Sequence, residues 1–400
     1  MLLEIFLAII AGCIAGTITG ITPGVHINLV SLLVLTASGF LLSFTSPIII
    51  AIFIAAMAIT HTFVDFIPSC FLGAPESDTA LSVLPAHKYL LKGRGYEAVF
   101  LTVVGSLLSL FITIALIPIL IFTVNKIYPI LRDYIGYILL ITVLFLILKE
   151  RHSRIWAFIT FLISGVLGLA VFNFSLLKDP LFPMLSGLFG ISILLISLKD
   201  NTKIPKQKIT TPYIDNKTNV KALSASVVTG SLCSFLPGLG PAQAAIIASS
   251  FTRKLGSAGF LIIVGALNTV NMILSFVTLY TINKARNGAI VIMSKIIESF
   301  NLNYLILIIG CILVVAFFAT LISLNLAKLF SKFMTKVNYK KLCIGIISLV
   351  VGLVILLTGL SGLLVLIVST LTGLIPTLNG VGKNHLMGCL LLPVILFFLL

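Results

Sequence analysis

Two hydrophobic stretches of the sequence are each interrupted by a proline–glycine step that polar residues follow. They are GITPGVHINL, residues 20–29, and SFLPGLGPAQ, residues 234–243. Such a step frees backbone groups, and it persists at membrane depth only where it faces protein or a water-filled cavity. The helix that restarts directs its N-terminal amides and positive dipole end into that cavity, where they suit an anion. The alternative is a pair of packing kinks, because proline and glycine are frequent in membrane helices.

The residues expected to contact an anion are those of the two breaks, the polar residues beside them and one asparagine from a later apolar segment. They are Thr22, Pro23, Gly24, His26, Asn28, Pro237, Gly238, Gly240, Gln243 and Asn268. Asn268 shares a helix face with Asn271, and hydrogen bonds between helices explain this pair as well as substrate contact does.

Asp65 differs from most of the eleven acidic residues because it lies near the end of an apolar run rather than in a loop. His61 precedes it by one helical turn, so both side chains project from one face. An ionisable pair at membrane depth is costly and marks a candidate functional site, here for a coupling proton or sodium ion. The alternative places Asp65 at the membrane interface, where it caps the helix break before Pro68.

Few other residues suggest chemistry. Glu76 and Asp78 could cap a helix or bind a cation, and capping is the more usual explanation. Together with His87 they are the faint candidates for the acids or the metal site of an enzyme. Because the sequence has no GxSxG, HExxH or P-loop motif, we expect no catalysis and no cofactor beyond a coupling Na⁺ or H⁺.

The composition indicates what elements position these residues. Of 400 residues, 59% are hydrophobic and 9% are charged, whereas soluble proteins have about 25% charged residues. Apolar runs of about 18 or more residues recur along the chain, and each is long enough to cross a bilayer as a helix. The sequence therefore predicts an all-α polytopic protein that crosses a cell membrane several times.

Fourteen apolar segments are recognisable, seven on each side of the longest polar stretch. They lie near 2–20, 27–42, 48–67, 97–124, 134–149, 155–172, 181–198, 222–237, 241–252, 258–281, 303–327, 342–359, 361–377 and 385–400. Because several are short or broken, we expect about 10 to 14 of them to cross the membrane. Residues 1–198 then form a first transmembrane repeat, 199–221 a polar linker and 222–400 a second repeat.

The net charge of +15 comes from Lys and Arg residues that lie mainly in the short loops between apolar runs. Positive residues favour the cytoplasmic side, and the alternation of strongly and weakly basic loops in the first half places the linker in the cytoplasm. Membrane orientation explains the charge, so no nucleic-acid partner is expected.

The two halves share short sequence matches in the same order. AGTITGITPGV from Ala15 aligns with TGSLCSFLPGL from Thr229, which pairs the proline–glycine steps, and SGVLGL from Ser164 aligns with STLTGL from Ser369. An odd number of segments in each half makes the two repeats opposite in topology. We therefore expect two inverted-topology repeats of about seven helical segments, with broken helices at the midplane.

At these residues the chain resembles the TctA-type large permease subunit of tripartite tricarboxylate transporters. The resemblance is carried by GITPGVHINL, LGAPESDTALSVLPAHKYLLKGRGYEAV, SGVLGLAVF, SGLFG and FLPGLGPAQAA, which follow in the family's order through about the first 260 residues. It implies inverted repeats and cation-driven uptake of di- or tricarboxylates. It also implies assistance by a small membrane subunit and an extracytoplasmic binding protein.

The chain departs from the family pattern in three respects. It is shorter, it has His26 where the family tends to have Gly, and GAPES replaces a pattern of small residues. The accessory subunits could therefore be absent, and the substrate could be another anion, such as the phosphate of a polyprenyl lipid carrier.

These features together predict a cation-coupled secondary transporter of a di- or tricarboxylate-like organic anion, with alternating access between two inverted repeats. One alternative is a polyprenyl-phosphate translocase, and another is a membrane enzyme acting on a lipid-linked substrate. A channel suits two midplane breaks less well than a carrier does. The expected partners are membrane lipids and a small anionic solute or lipid phosphate, and a homodimer stays open.

Overall fold

A computed structural model describes most of the chain. The described residues are 2–22, 27–73, 79, 81, 83–150, 153–175, 177, 180–199, 205–235, 240–252, 255–285, 287–297, 299–334 and 339–400. Both proline–glycine steps and the stretch with Glu76 and Asp78 lie outside these residues.

The described part of the chain is helical and contains no strand. The helices of the first half are α1 Leu2–Ile21, α2 Ile27–Thr36, α3 Ser38–Leu41, α4 Pro47–Val64, α5 Phe66–Phe71, α6 Val83–Leu91, α7 Gly95–Arg132, α8 Ile135–Lys149, α9 Arg154–Phe172, α10 Leu181–Leu185, a π-helical turn Ser186–Ile191 and α11 Ser192–Lys199. Those of the second half are α12 Asn216–Phe235, α13 Pro241–Phe251, α14 Gly256–Ile282, α15 Gly288–Ile296, α16 Leu302–Met334, α17 Tyr339–Leu378, a 3₁₀ turn Lys383–Met387 and α18 Gly388–Leu399.

The predicted apolar segments coincide with these helices, and the prediction of a polytopic all-α membrane protein is confirmed. The described residues include seven helices long and apolar enough to cross a membrane, and three shorter apolar ones. The single helix α17 covers two segments that were predicted separately. Gly359 lies at their boundary with φ 69°, a left-handed conformation that glycine adopts without steric cost, and it kinks the helix there.

Two helices form the centre of the molecule. In the most hydropathic part of Pro47–Phe71, which spans α4 and α5, 83% of positions are buried, and in α14 89% are. The other five long helices bury 28–39% of theirs and leave large apolar side chains exposed. Exposed apolar side chains are stable in lipid, so α4 and α14 are the protein-enclosed helices and the others face the membrane.

Small residues allow α1 to lie close against α4. Gly12, Gly16 and Gly20 recur every four residues and share one helix face. A Cβ added at Gly12 would lie 2.5 Å from the Cβ of Ala56, and one added at Gly20 would lie 2.9 Å from the Cβ of Val64. Close backbone approach through a small-xxx-small pattern is a usual way of packing membrane helices, because lipid supplies no hydrophobic drive between them.

A second close crossing joins α7 of the first half to α14 of the second. Gly105 and Gly265 each lie against the backbone of the opposite helix. Beside them the hydroxyl of Ser106 donates to the carbonyl oxygen of Gly265 at 3.0 Å, and that of Ser109 donates to Ala266 at 3.2 Å. Interhelical hydrogen bonds of this kind reinforce the crossing between the halves.

Two matching contacts occur in the outer helices. Gly168 of α9 lies against the carbonyl of Cys389 in α18, and Gly373 of α17 lies against the carbonyl of Leu188 in the π-helical turn. The match of SGVLGL with STLTGL pairs these two glycines. Equivalent contacts at aligned positions favour the predicted repeat, while the inverted arrangement and the domain limits stay predictions.

The polar linker is held against the first half. Residues 205–215, called the strap below, precede α12 without forming a helix. The side chain of Gln207 is buried: its Oε1 accepts from the Gly95 amide at 2.9 Å, and its Nε2 donates to the Leu90 carbonyl at 3.0 Å. The Lys208 amide donates to the Gly93 carbonyl at 2.8 Å. The strap is therefore fixed to the turn between α6 and α7.

Candidate functional site

The two central helices, α4 and α14, contact each other directly. The hydroxyl oxygens of Thr62 and Thr269 lie 3.4 Å apart, and both side chains are buried. Each half of the sequence thus contributes one polar residue to the middle of the contact.

Asp65 lies at the junction of α4 and α5 and is 2% exposed. Its Oδ2 accepts a hydrogen bond from the Nδ2 of Asn268 on α14 at 2.8 Å. A carboxylate removed from water needs partners, and an amide donor at this distance supplies one. The structure therefore places this carboxylate in the protein interior, where its side chain does not cap α5. Asn268, expected to contact substrate, directs its amide to Asp65.

His61, one turn before Asp65, is also buried. Its Nδ1 lies 3.0 Å from the hydroxyl of Thr19 near the end of α1. Because α1 ends at Ile21, this hydrogen bond attaches the last turn before the first proline–glycine step to α4. The end of α1 is thus held beside the α4 backbone at Asp65, because a Cβ added at Gly20 would lie 3.3 Å from the Asp65 amide nitrogen.

The second broken helix, α12, is attached to α14 in a similar manner. The hydroxyl of Ser234 donates to Oδ1 of Asn271 at 3.1 Å, and a Cβ added at Gly230 would lie 2.8 Å from the side chain of Val270. Since α12 ends at Phe235, its last turn lies along the face of α14 that carries the two asparagines. Both helices that precede the breaks therefore end against the α4–α14 pair.

The structure describes only some of the other residues that are predicted to contact the anion. Thr22 is the last described residue before the first break, and its amide is bonded to the Ile18 carbonyl at 3.1 Å. Asn28 lies in the first turn of α2, exposed and next to Gly288 at the start of α15. Gly240 directly precedes α13. Pro23, Gly24, His26, Pro237, Gly238 and the side chain of Gln243 lie outside what is described.

The oxygen atoms of the cluster around Asp65 suit a small hard cation, and the carboxylate also suits a proton. Beside the carboxylate, the hydroxyl of Ser69 donates to the Asp65 carbonyl at 3.1 Å and lies 2.8 Å from the hydroxyl of Thr79. Carboxylate, carbonyl and hydroxyl oxygens bind hard cations. Among the described residues, no three His, Cys, Asp or Glu side chains form a transition-metal group.

A second polar cluster lies among the outer helices. Glu150, which follows α8, accepts from the Gly382 amide at 3.2 Å and lies 3.1 Å from Nε2 of His385. Nearby, the ammonium of Lys383 donates to the hydroxyl of Ser192 at 2.8 Å. The cluster joins the two halves, because residues 382–385 belong to the second half and Glu150 to the first.

Sequence reasoning missed several of these partners. Thr19, Ser234 and Thr269 were not singled out, although each is a polar residue inside or at the end of an apolar run. Glu150 lies in the loop after α8, where an acidic residue is usual and gave no reason to single it out. The sequence signal that could have identified Thr19 and Ser234 is their distance from a proline–glycine step. Hydroxyl residues within one helical turn of such a step lie where the freed backbone groups need hydrogen-bond partners.

His87 on the short helix α6 is buried and does not lie in a candidate membrane span. Burial lowers the pKa of His87 to about 4, because the charged imidazolium is poorly solvated there. A buried histidine that is neutral at pH 7 fits a packing role. Glu76 and Asp78, the other two residues of the enzyme hypothesis, lie outside the described residues.

Comparisons with known proteins point to one family. A family model described as the tripartite tricarboxylate transporter TctA family matches residues 6–388. An uncharacterized protein of Methanocaldococcus jannaschii is 34% identical over 347 residues, which cover 85% of this chain and 84% of that protein. A search of solved structures finds no match.

Proposed function

The chain belongs to the tripartite tricarboxylate transporter TctA family, and from this premise we propose that it is a secondary transporter of a small organic anion of the di- or tricarboxylate class. It is a multi-pass membrane protein, so the proposal concerns what crosses the membrane and what drives the crossing. The substrate, the coupling ion and alternating access are parts of the proposal.

The proposed anion site lies between the two proline–glycine steps. Two features support it: α1 and α12 both end against the α4–α14 pair, and α2 and α13 restart within a few residues of each break. The restarting helices would direct their N-terminal amides at the carboxylates of the substrate. Thr22, Asn28 and Gly240 flank the breaks, and His26 and Gln243 would add polar contacts.

The coupling ion is proposed to act at Asp65. The observation that carries this step is the hydrogen bond from Asn268 to Asp65, because it joins the two halves through a single ionisable group. Binding of Na⁺ or H⁺ would neutralise the carboxylate and compete with the Asn268 amide. Binding of the cation would then weaken the hydrogen bond between the two halves. Coupled alternating access requires that the cation changes the interaction between the halves in this way.

Transport by purified protein in proteoliposomes tests the proposal. We expect uptake of radiolabelled citrate or succinate to depend on an inward Na⁺ or H⁺ gradient. Asp65→Asn should abolish gradient-driven uptake, while Asp133→Asn, an exposed acid outside this cluster, should leave it intact. If no carboxylate is taken up and a polyprenyl phosphate stabilises the protein instead, the lipid-carrier function replaces this one.

A further inference from the structure

The strap lies at one end of a membrane span. It is bonded to Gly93 and Gly95, and α7 starts at Gly95 as a candidate span that runs to Lys126. The first turn of a membrane helix lies near the boundary between hydrocarbon and headgroups. The strap is therefore held near the level of the lipid headgroups and does not extend freely into solvent.

The strap and the turn it contacts present five exposed cationic side chains. They are Lys88, Lys92, Arg94, Lys206 and Lys208. Arg94 forms an ion pair with Glu97, whose other oxygen accepts from Thr210 of the strap at 2.6 Å. No ion pair joins the four lysines to any residue that the structure describes, so their charge is left for an external partner.

Apolar side chains on the strap face outward as well. Ile209 is 42% exposed and Tyr213 is 95% exposed. Tyrosine is enriched at membrane–water interfaces because its ring is apolar while its hydroxyl is polar. Cations interleaved with exposed apolar groups suit a lipid surface better than a soluble polyanion, which would leave Ile209 and Tyr213 in water.

We propose that the strap and the α6–α7 turn form a binding surface for the headgroups of anionic phospholipids. The buried Gln207 side chain gives the surface its fixed shape, because it holds Lys206 and Lys208 against Gly93, the residue after Lys92. A flexible linker would present the same charges without a constant arrangement. The inference does not depend on which solute is carried, so it stands or falls separately from the transport proposal.

Lipid titration of the purified full-length protein in a neutral detergent tests the proposal. The readout is the apparent Tm as dioleoylphosphatidylglycerol is added, with dioleoylphosphatidylcholine and inorganic phosphate as separate probes. We expect phosphatidylglycerol to raise the Tm, and neither other probe to do so at the same concentration. The shift should shrink at high salt, because exposed charges are screened.

Lys206→Gln together with Lys208→Gln should raise the phosphatidylglycerol concentration at half-maximal shift on the order of thirtyfold, since each lysine near an anionic surface contributes roughly a fivefold factor and the two factors multiply. Both side chains are exposed, so the double variant should fold. Lys126→Gln with Lys295→Gln removes the same charge elsewhere and should leave the titration unchanged. Equal titrations of the wild type and the strap variant, or a phosphate effect equal to the lipid effect, would overturn the proposal.

Discussion

Replacing Asn268 with Leu removes the amide donor to Asp65 and keeps the number and branching of the side-chain heavy atoms. The carboxylate is 2% exposed, so water does not replace the lost hydrogen bond. Hydrogen bonds to charged groups contribute about 1.5–3 kcal/mol, and we expect the cation-free protein to lose about 2 kcal/mol of stability.

The sign of the effect on cation binding follows from the same contact. Asn268 stabilises the ionised, cation-free carboxylate, so Asn268→Leu should make Asp65 bind its cation more tightly. An energy of about 2 kcal/mol corresponds to a fall of about thirtyfold in the cation concentration at half-maximal uptake. The maximal rate should also fall, because the cation is released more slowly.

Two measurements check this prediction. The apparent Tm of Asn268→Leu should be well below the wild-type value without the cation and should approach it with saturating cation. Thr269→Val is the matched control: it removes a 3.4 Å hydroxyl contact one residue away and should leave the cation dependence unchanged. Equal destabilisation with and without the cation, at an unchanged half-maximal concentration, would refute the coupling role of this pair.

Three further predictions concern packing, the second cluster and pH. Gly105→Val should prevent accumulation of folded protein in a fluorescence size-exclusion assay, because the added side chain meets the Ile262 backbone of α14. Gly310→Val is the control and should be tolerated, because a Cβ added there meets open space. Glu150→Gln should lower the apparent Tm, because a charge-assisted hydrogen bond to His385 becomes a neutral one. An unchanged Tm would show that the negative charge of Glu150 does not contribute to stability. Burial lowers the pKa of His87 from 6.5 to about 4, so its contribution to the free energy of unfolding is complete above pH 6.5 and is lost as the pH falls toward 4. At pH 5 the loss is about 2 kcal/mol. His87→Gln should remove this part of the dependence of Tm on pH, and a profile identical to that of the wild type would contradict the prediction.

The helical segments could be predicted because their signal is local. An apolar run of spanning length forms a helix in lipid whatever its neighbours are, since no other conformation satisfies its backbone. Even the interruption of α17 at Gly359 was visible as a boundary between two segments. The short helices α5 and α15 were not predicted as separate elements, because they are shorter than a span and are stabilised by packing against long helices.

The partners within the site could not be predicted, because they are remote in sequence. Asp65 and Asn268 are 203 residues apart, and their contact depends on how α4 meets α14. From sequence, Asp65 fitted a buried site and an interfacial cap equally well. Burial separates these alternatives, and burial is a tertiary property. For the same reason the sequence could not tell whether Asn268 bonds to another helix or contacts the substrate. The structure shows the bond to Asp65, and substrate contact stays a prediction.

The measurement that tests the central claim most directly is a cryo-electron microscopy map of the full chain in lipid nanodiscs with saturating citrate. The predicted result is density for one anion within hydrogen-bonding distance of the amides that follow both Pro23-Gly24 and Pro237-Gly238, beside the Asp65–Asn268 pair. Two breaks lying far apart, or each filled by neighbouring side chains with no space for a solute, would contradict it.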